Sequence, residues 1–185
     1  MHALKIILSI LAVIIVLITG FLFYLGMFGK MTVTEQPMGP YVIAYEHFVG
    51  PYSKTKTAFD NVYNTLIANG IDSQLGLGIY YDDPSQVSAN QLKSDCGSVL
   101  TGESISKARL LDGKISIKEI EKTPCLVTTF PIKNPMSYMF GPMRAYPALA
   151  KYAKENNIVF GGLSYEVYDM PNKVIYFVFQ INEAK

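Results

Sequence analysis

YVIAYEHFVGPYSKTKTAFDNVYNTLIANGIDSQLGLGIYYDDP, residues 41–84, carries the pattern that decides the fold. Tyr41 to Phe48 is rich in β-branched and aromatic residues, the composition of a strand. Gly50-Pro51-Tyr52-Ser53 turns the chain, with Ser53 as the expected N-cap of a helix. Ala58, Phe59, Val62, Tyr63, Leu66 and Ile67 then fall on one helical stripe, and Gly70 ends it. Leu75 to Tyr81 is a second strand, stopped by Asp82-Asp83-Pro84. Two further strands are expected at Ser94 to Leu100 and Ile115 to Ile120, separated by a loop around Gly102 and a turn at Asp112-Gly113.

The pattern then restarts. Cys125 to Ile132 is a strand, and Asn134-Pro135 opens a helix, since proline suits a first turn. Pro142 and Pro147 predict that residues 136–157 form two helical pieces, with Pro147 opening the second. Leu163 to Asp169 and Val174 to Ile181 are strands joined by the turn Pro171-Asn172. Asn69-Gly70-Ile71 matches Asn156-Asn157-Ile158, and at the same offset Tyr81-Asp82-Asp83-Pro84 matches Tyr168-Asp169-Met170-Pro171. Internal similarity at a long period implies a duplicated βαββ unit. The expected class is α+β: one antiparallel sheet with both helices on one face, the opposite face free, and a groove between the halves.

Residues 1–30 are a separate object. Ile6 to Gly29 carries no charge, with Lys5 and Lys30 bracketing the run. A helix of that length extends roughly 36 Å, enough to cross a hydrocarbon core of about 30 Å. A cleaved signal peptide would have an apolar region of about 7–15 residues and a small-residue cleavage site. This run is longer, and Lys30-Met31-Thr32-Val33 offers no such site. The expectation is a single-pass anchor over 1–30, a linker over 31–40 and one folded domain over 41–185, with the membrane contact through residues 6–29. One lysine on each side does not fix the orientation.

The chain is 50% apolar and 17% charged, with 16 Lys+Arg against 15 Asp+Glu. That balance makes no electrostatic case for nucleic acid, which calls for a concentrated basic face. Ten Phe and 13 Tyr exclude a disordered chain. No phosphate-binding glycine loop, zinc-binding helix motif or nucleophile elbow occurs. His47 is the one histidine after the apolar run, and its parity with Ile43 and Tyr45 reads as a satisfied sheet residue. No metal, haem or other cofactor is expected. Cys96 and Cys125 pair only if the domain lies in an oxidising space, and otherwise read as buried thiols.

Two features point to a site. At the repeat offset Glu166 takes the place of Ile79, so a carboxylate sits where its counterpart is apolar. Such a group must be solvated, paired or used, because burying it alone costs several kcal/mol or shifts its pKa. The second feature is aromatic: Tyr45, Tyr52, Tyr138, Tyr168 and Tyr176 fall on or beside strands and helix starts. Aromatic faces around one carboxylate suit a lipophilic cation, and Met136, Met139 and Met143 would add adaptable apolar lining.

Tyr45-Glu46-His47-Phe48-Val49-Gly50-Pro51-Tyr52, Gly78-Ile79-Tyr80-Tyr81-Asp82-Asp83-Pro84, Leu92 to Leu100, Pro147-Ala148-Leu149 and Tyr165-Glu166-Val167-Tyr168 together resemble the GyrI-like (gyrase-inhibitor-like) effector-binding domain family. With its anchor, the chain looks most like the membrane-bound branch of that family that contains a receptor for autophagy of the endoplasmic reticulum. The resemblance implies two βαββ units forming a groove, a SOUL-like arrangement, and places Glu166 where relatives use a glutamate against lipophilic cations. Some relatives are similar groove hydrolases that also rely on that glutamate. The sequence has no helix-turn-helix, so a transcription factor is not expected. It stops at Lys185 without the receptors' disordered tail, so the receptor role is not expected to carry over.

The expected function is therefore binding of a small amphipathic or cationic molecule at Glu166, lined by Tyr45, Tyr52, Tyr138, Tyr168 and Tyr176, more a binding domain than an enzyme, with no catalytic residue assigned. The alternatives are a groove hydrolase using Glu166 as acid–base group, and a membrane adaptor for an unidentified protein partner.

Overall fold

The computed structural model describes residues 2–111 and 113–182. Helix α1, His2–Tyr24, comes first, followed by β1 (Thr34–Met38), β2 (Tyr41–Val49), α2 (Lys56–Ala68), β3 (Leu75–Tyr80) and β4 (Lys93–Leu100). Then come α3 (Glu103–Arg109), β5 (Ser116–Ile120), β6 (Thr123–Pro131), α4 (Ser137–Glu155), β7 (Phe160–Asp169) and β8 (Val174–Ile181). The strands form one antiparallel sheet in the order β1-β6-β8-β7-β3-β4-β2-β5. The halves β6-β8-β7 and β3-β4-β2 meet at the β7–β3 ladder, as a duplicated βαββ unit requires. Helix α1 is long and apolar enough to cross a membrane, with mean hydropathy 3.1 over its 18-residue apolar window.

Both helices pack on one face of the sheet, α2 over β2 and β4, α4 over β6 and β8. The buried stripe of α2 is Ala58, Val62 and Leu66, while Tyr63 and Ile67 from the expected stripe are exposed. The opposite face is not free. The sheet curls until Tyr41 on β2 meets Tyr165 on β7, ring centres 6.2 Å apart. Ile43, Leu77, Ile79, Cys125, Val127, Tyr165 and Val178 fill the space between. Apolar residues on both sides of β8 explain why VIYFVFQI reads as a nearly continuous apolar run rather than a clean alternation.

Several local expectations are corrected. Ser53 lies within a short 3₁₀ turn, and the residue before α2 is Thr55, whose hydroxyl donates to the Tyr52 carbonyl at 2.9 Å. The loop expected around Gly102 contains α3, a short polar helix that buries Ala108. Asp112 of the expected turn lies outside the described residues. Thr34–Met38, inside the stretch read as a linker, pairs with β6 as an edge strand. Its Pro37 is tolerated there because an edge residue has no second ladder to donate to.

Helix α4 is continuous through Pro142 and Pro147. Each proline forfeits one backbone bond. The burial of Ala145, Leu149 and Ala153 against Leu126, Phe130, Ile175 and Phe177 carries the helix past both.

Cys96 and Cys125 lie on opposite faces of the sheet: Cys96 pairs with Gly78 and Glu46 on the helix side, Cys125 sits in the curled interior. Both are buried and free. Burial pushes the Cys96 thiol up to about 12, and only the thiolate is reactive. The native protein is expected to leave a thiol reagent unconsumed until it is unfolded. A cross-linked form on non-reducing mass analysis would contradict this geometry.

Candidate functional site

The crease between α2 and α4 lies over the two central strands, β3 and β7. On β7, Ser164, Glu166 and Tyr168 point into it. Register sets this: Glu166 pairs with Gly78 on one side and Phe177 on the other, and paired residues share a face. Ile79, the expected counterpart, points the other way into the curled core, where it is fully buried. The repeat alignment was thus one residue out of step, and a slip of one residue inverts every side chain. On the helix side, β3 presents Gly76, Gly78 and Tyr80. At Gly78 an added Cβ would lie 3.0 Å from both the Phe59 ring and the Tyr80 hydroxyl, so the glycine makes room for these aromatics.

Glu166 is 4% exposed. Tyr146 of α4 donates to its Oε1 at 2.5 Å, and Tyr168 donates to Oε2 at 2.7 Å. Because the Tyr168 proton is committed to Glu166, the 2.8 Å contact between Tyr80 and Tyr168 has Tyr80 as donor. The result is a hydroxyl relay, Tyr80 to Tyr168 to Glu166. Aromatic rings wall it in. Phe59 of α2 meets Tyr168 edge-on at 5.4 Å, Tyr146 lies 5.6 Å from Phe177, and Tyr146 stacks on Phe179 at 5.5 Å.

Burial pushes the Glu166 carboxyl up to about 7, although the hydrogen bonds from Tyr146 and Tyr168 favour its ionised form. Burial, with the nearby Glu166 charge, also lifts Tyr80, Tyr146 and Tyr168 well above the ordinary phenol value. These tyrosines therefore act as donors, not as anions. A Tyr146→Phe substitution removes one donor to the carboxylate and is expected to raise its pKa further, by about one to two pH units. Carbon-detected titration of the Glu166 carboxyl in both proteins measures this. An unchanged value would mean that Tyr146 does not bond the ionised group.

The predicted lining residues separate into two groups. Tyr168 bonds Glu166 directly. Tyr138, at the start of α4, lies 5.9 Å from the Tyr168 ring and is partly exposed at the end of the crease. Tyr52 stands behind Tyr80, edge-on at 4.9 Å, with its hydroxyl bonded to the Asp82 backbone. Tyr45 and Tyr176 do not join them, and this corrects the expectation. Both lie on the other face of the sheet, against the curled core. There Lys118 sits 4.7 Å over the Tyr45 ring. Tyr146, Tyr80 and Phe59 belong to the site and were not predicted. Tyr146 was within reach, because it follows Tyr138 by eight positions, just over two helical turns, and so lies on the same side of α4.

A second buried carboxylate shows how different Glu166 is. Asp95 on β4 takes hydrogen bonds from His47 Nδ1 at 2.7 Å, from Tyr81 at 2.6 Å and from Lys118. Burial would raise its pKa, but the bonds from Lys118, Tyr81 and His47 outweigh this and hold it below the usual carboxylate value. His47 is thus a satisfied sheet histidine, as its parity implied. Asp95 has a cation of its own; the side-chain partners of Glu166 among the described residues are hydroxyls alone.

The chain superposes on the EcmrR C-terminal domain with a TM-score of 0.60 at 14% identity, covering 83% of this chain and 99% of that one. A hydrolase from Listeria innocua aligns at 0.55 and 8% identity, over 83% and 93% of the two chains. SAV2435 bound to tetraphenylphosphonium aligns at 0.50 and 10% identity, over 83% and 95%. The fold is GyrI-like. At these identities the likeness is one of fold. No protein-family model matches the sequence. A mouse protein, testis-expressed protein 264 homolog, is 27% identical over 143 residues, 73% of this chain. The chain spans less than half the length of that relative, 45%.

Proposed function

We propose that this chain is a single-pass membrane protein, anchored through α1, which ends at Tyr24 and not at Gly29, and that its GyrI-like domain binds amphipathic organic cations at Glu166. The observation that carries this reading is a carboxylate almost wholly removed from water, ringed by aromatic side chains and given no cation among the described residues. An unpaired buried carboxylate is costly. It is relieved either by a proton or by a cation brought from outside. Aromatic faces add attraction for a cation when the site is desolvated. That SAV2435, with the same fold, holds tetraphenylphosphonium supports this class of ligand. The carboxylate is closed over by Tyr146 and Tyr168, so entry requires these rings to part, with Tyr138 at the exposed end of the crease.

Thermal unfolding of the full chain in detergent, with tetraphenylphosphonium and an uncharged tetraphenyl analogue, tests the reading. Cation at 100 times its dissociation constant adds about 2.7 kcal/mol of stability, and the uncharged analogue is expected to add far less. Equal shifts from both compounds would remove the carboxylate from the recognition.

A hydrolase is the second reading, favoured by one observation. A carboxyl brought to about 7 by burial is tuned to the range where general acid–base catalysis is most efficient. Turnover of an electrophilic small molecule that disappears in Glu166→Gln would establish it; binding without turnover would leave the domain a receptor.

A further inference from the structure

The segment after α1 is not a free tether. Leu25 is 2% exposed, tucked into the domain. Lys133 Nζ donates to the Tyr24 carbonyl at 2.7 Å and lies 5.4 Å over the Tyr24 ring. The Arg144 guanidinium donates to the Gly26 carbonyl at 2.8 Å and to the carbonyls of Met27 and Gly29. Carbonyls at a helix C-terminus lack intrahelical partners and form the negative end of its dipole. Lys133, just before α4, meets that need at Tyr24, and Arg144 on α4 holds the turn that follows, so the two cations clamp the end of α1 to the domain.

The clamp decides what the outer surface of α4 faces. Gly141, Ala145 and Leu149 form its buried stripe. Met139 and Met143 project from the opposite side and, with Met136, are exposed. No charged residue occurs from Asn134 to Met143. Beside this surface, Phe23 and Phe28 are exposed and stack on each other, ring centres 6.3 Å apart. A helix as long as α1 spans roughly 35 Å, so its last turn reaches the edge of a hydrocarbon core about 30 Å thick. Aromatic side chains settle at that depth, and methionine adapts to irregular apolar surroundings.

We propose that the face of α4 carrying Met136, Met139 and Met143 is a membrane-docking surface, held in the lipid headgroup layer by the Lys133–Arg144 clamp on the end of α1. This rests on α1 crossing the membrane. The occupant is the lipid surface because the clamp sets an uncharged, thioether-rich face next to the point where the chain leaves the bilayer.

Single cysteines carrying an environment-sensitive fluorophore test it in the full chain, reconstituted in phosphatidylcholine vesicles containing doxyl-labelled phospholipid. Cys96 and Cys125 are buried and stay unlabelled in the folded protein. Met139→Cys and Met143→Cys are expected to show blue-shifted emission and quenching at a depth of roughly 5–10 Å into the boundary between headgroups and acyl chains. Lys56→Cys, on α2, is expected to show neither, and Leu11→Cys in α1 is expected to be quenched deep in the core. Adding Arg144→Gln should reduce quenching at Met139 and leave Leu11 unchanged. Quenching at Leu11 without quenching at Met139 overturns the docking surface while leaving the anchor intact. No quenching at Leu11 overturns the anchor and the docking with it. Shielding at Met139 that grows with protein density and is insensitive to doxyl lipid assigns the face to a second copy and also overturns the proposal.

Discussion

The Glu166→Gln protein is expected to bind tetraphenylphosphonium at least roughly thirtyfold more weakly than the native protein, since removing one partner of a desolvated charge pair costs about 2–5 kcal/mol. The substitution is close to isosteric. The amide oxygen is expected still to accept from one of the two tyrosines, and the rings of Phe59, Phe177 and Phe179 that wall the native carboxylate are expected to keep their places. What disappears is the charge. Calorimetric titration of the full chain in detergent at pH 8, where the native carboxyl is mostly ionised, reads the difference directly. Because the pair is desolvated, moderate salt is expected to change the native affinity little, whereas a surface encounter would weaken markedly. Undiminished affinity in Glu166→Gln would show that the cation sits elsewhere.

The second large effect is on stability. A carboxyl that ionises near 4.5 when the chain is unfolded and near 7 when folded binds its proton more tightly in the native state. Between those values the folded protein holds more protons than the unfolded one, so stability falls as pH rises through the window. The full drop is about 3 kcal/mol, complete by about pH 8. Asp95 does not obscure it. Its folded pKa is depressed, so its contribution is already present above the ordinary carboxylate value and is lost only in stronger acid. Denaturant midpoints of the full chain from pH 4.5 to 8 are expected to decline in the native protein and to stay nearly level in Glu166→Gln. Parallel curves would mean that Glu166 ionises normally. The same linkage makes cation binding release a proton, so affinity should rise with pH up to about 7 and then level off.

Much of this architecture was legible because the central strands and both large helices carry strong apolar periodicity. Val174 to Ile181 was bounded to the residue. What escaped was held by tertiary contact alone. Thr34–Met38 has almost no strand composition and exists as a strand because β6 offers it a ladder. Residues 103–109 are mostly polar and bury little beyond Ala108. Proline statistics broke α4 where packing keeps it whole. At the site, Glu166 stood out because a carboxylate in an apolar strand is an anomaly on any register, even one that chose the wrong counterpart. Tyr45 and Tyr176 misled because aromatic residues are equally at home in a curled core. Only the strand pairing tells the two faces apart.

The two tyrosines bonded to Glu166 have an optical consequence. The chain has no tryptophan, so tyrosine emission is not drained by energy transfer to an indole. A phenol becomes a much stronger acid in its excited state and hands its proton to a bonded carboxylate, which darkens it. Tyr146 and Tyr168 are therefore expected to be dim wherever Glu166 is ionised. If the proposed guest draws Glu166 to itself and parts those rings, their emission is expected to rise, so that occupancy of the crease would show in the protein's own ultraviolet glow.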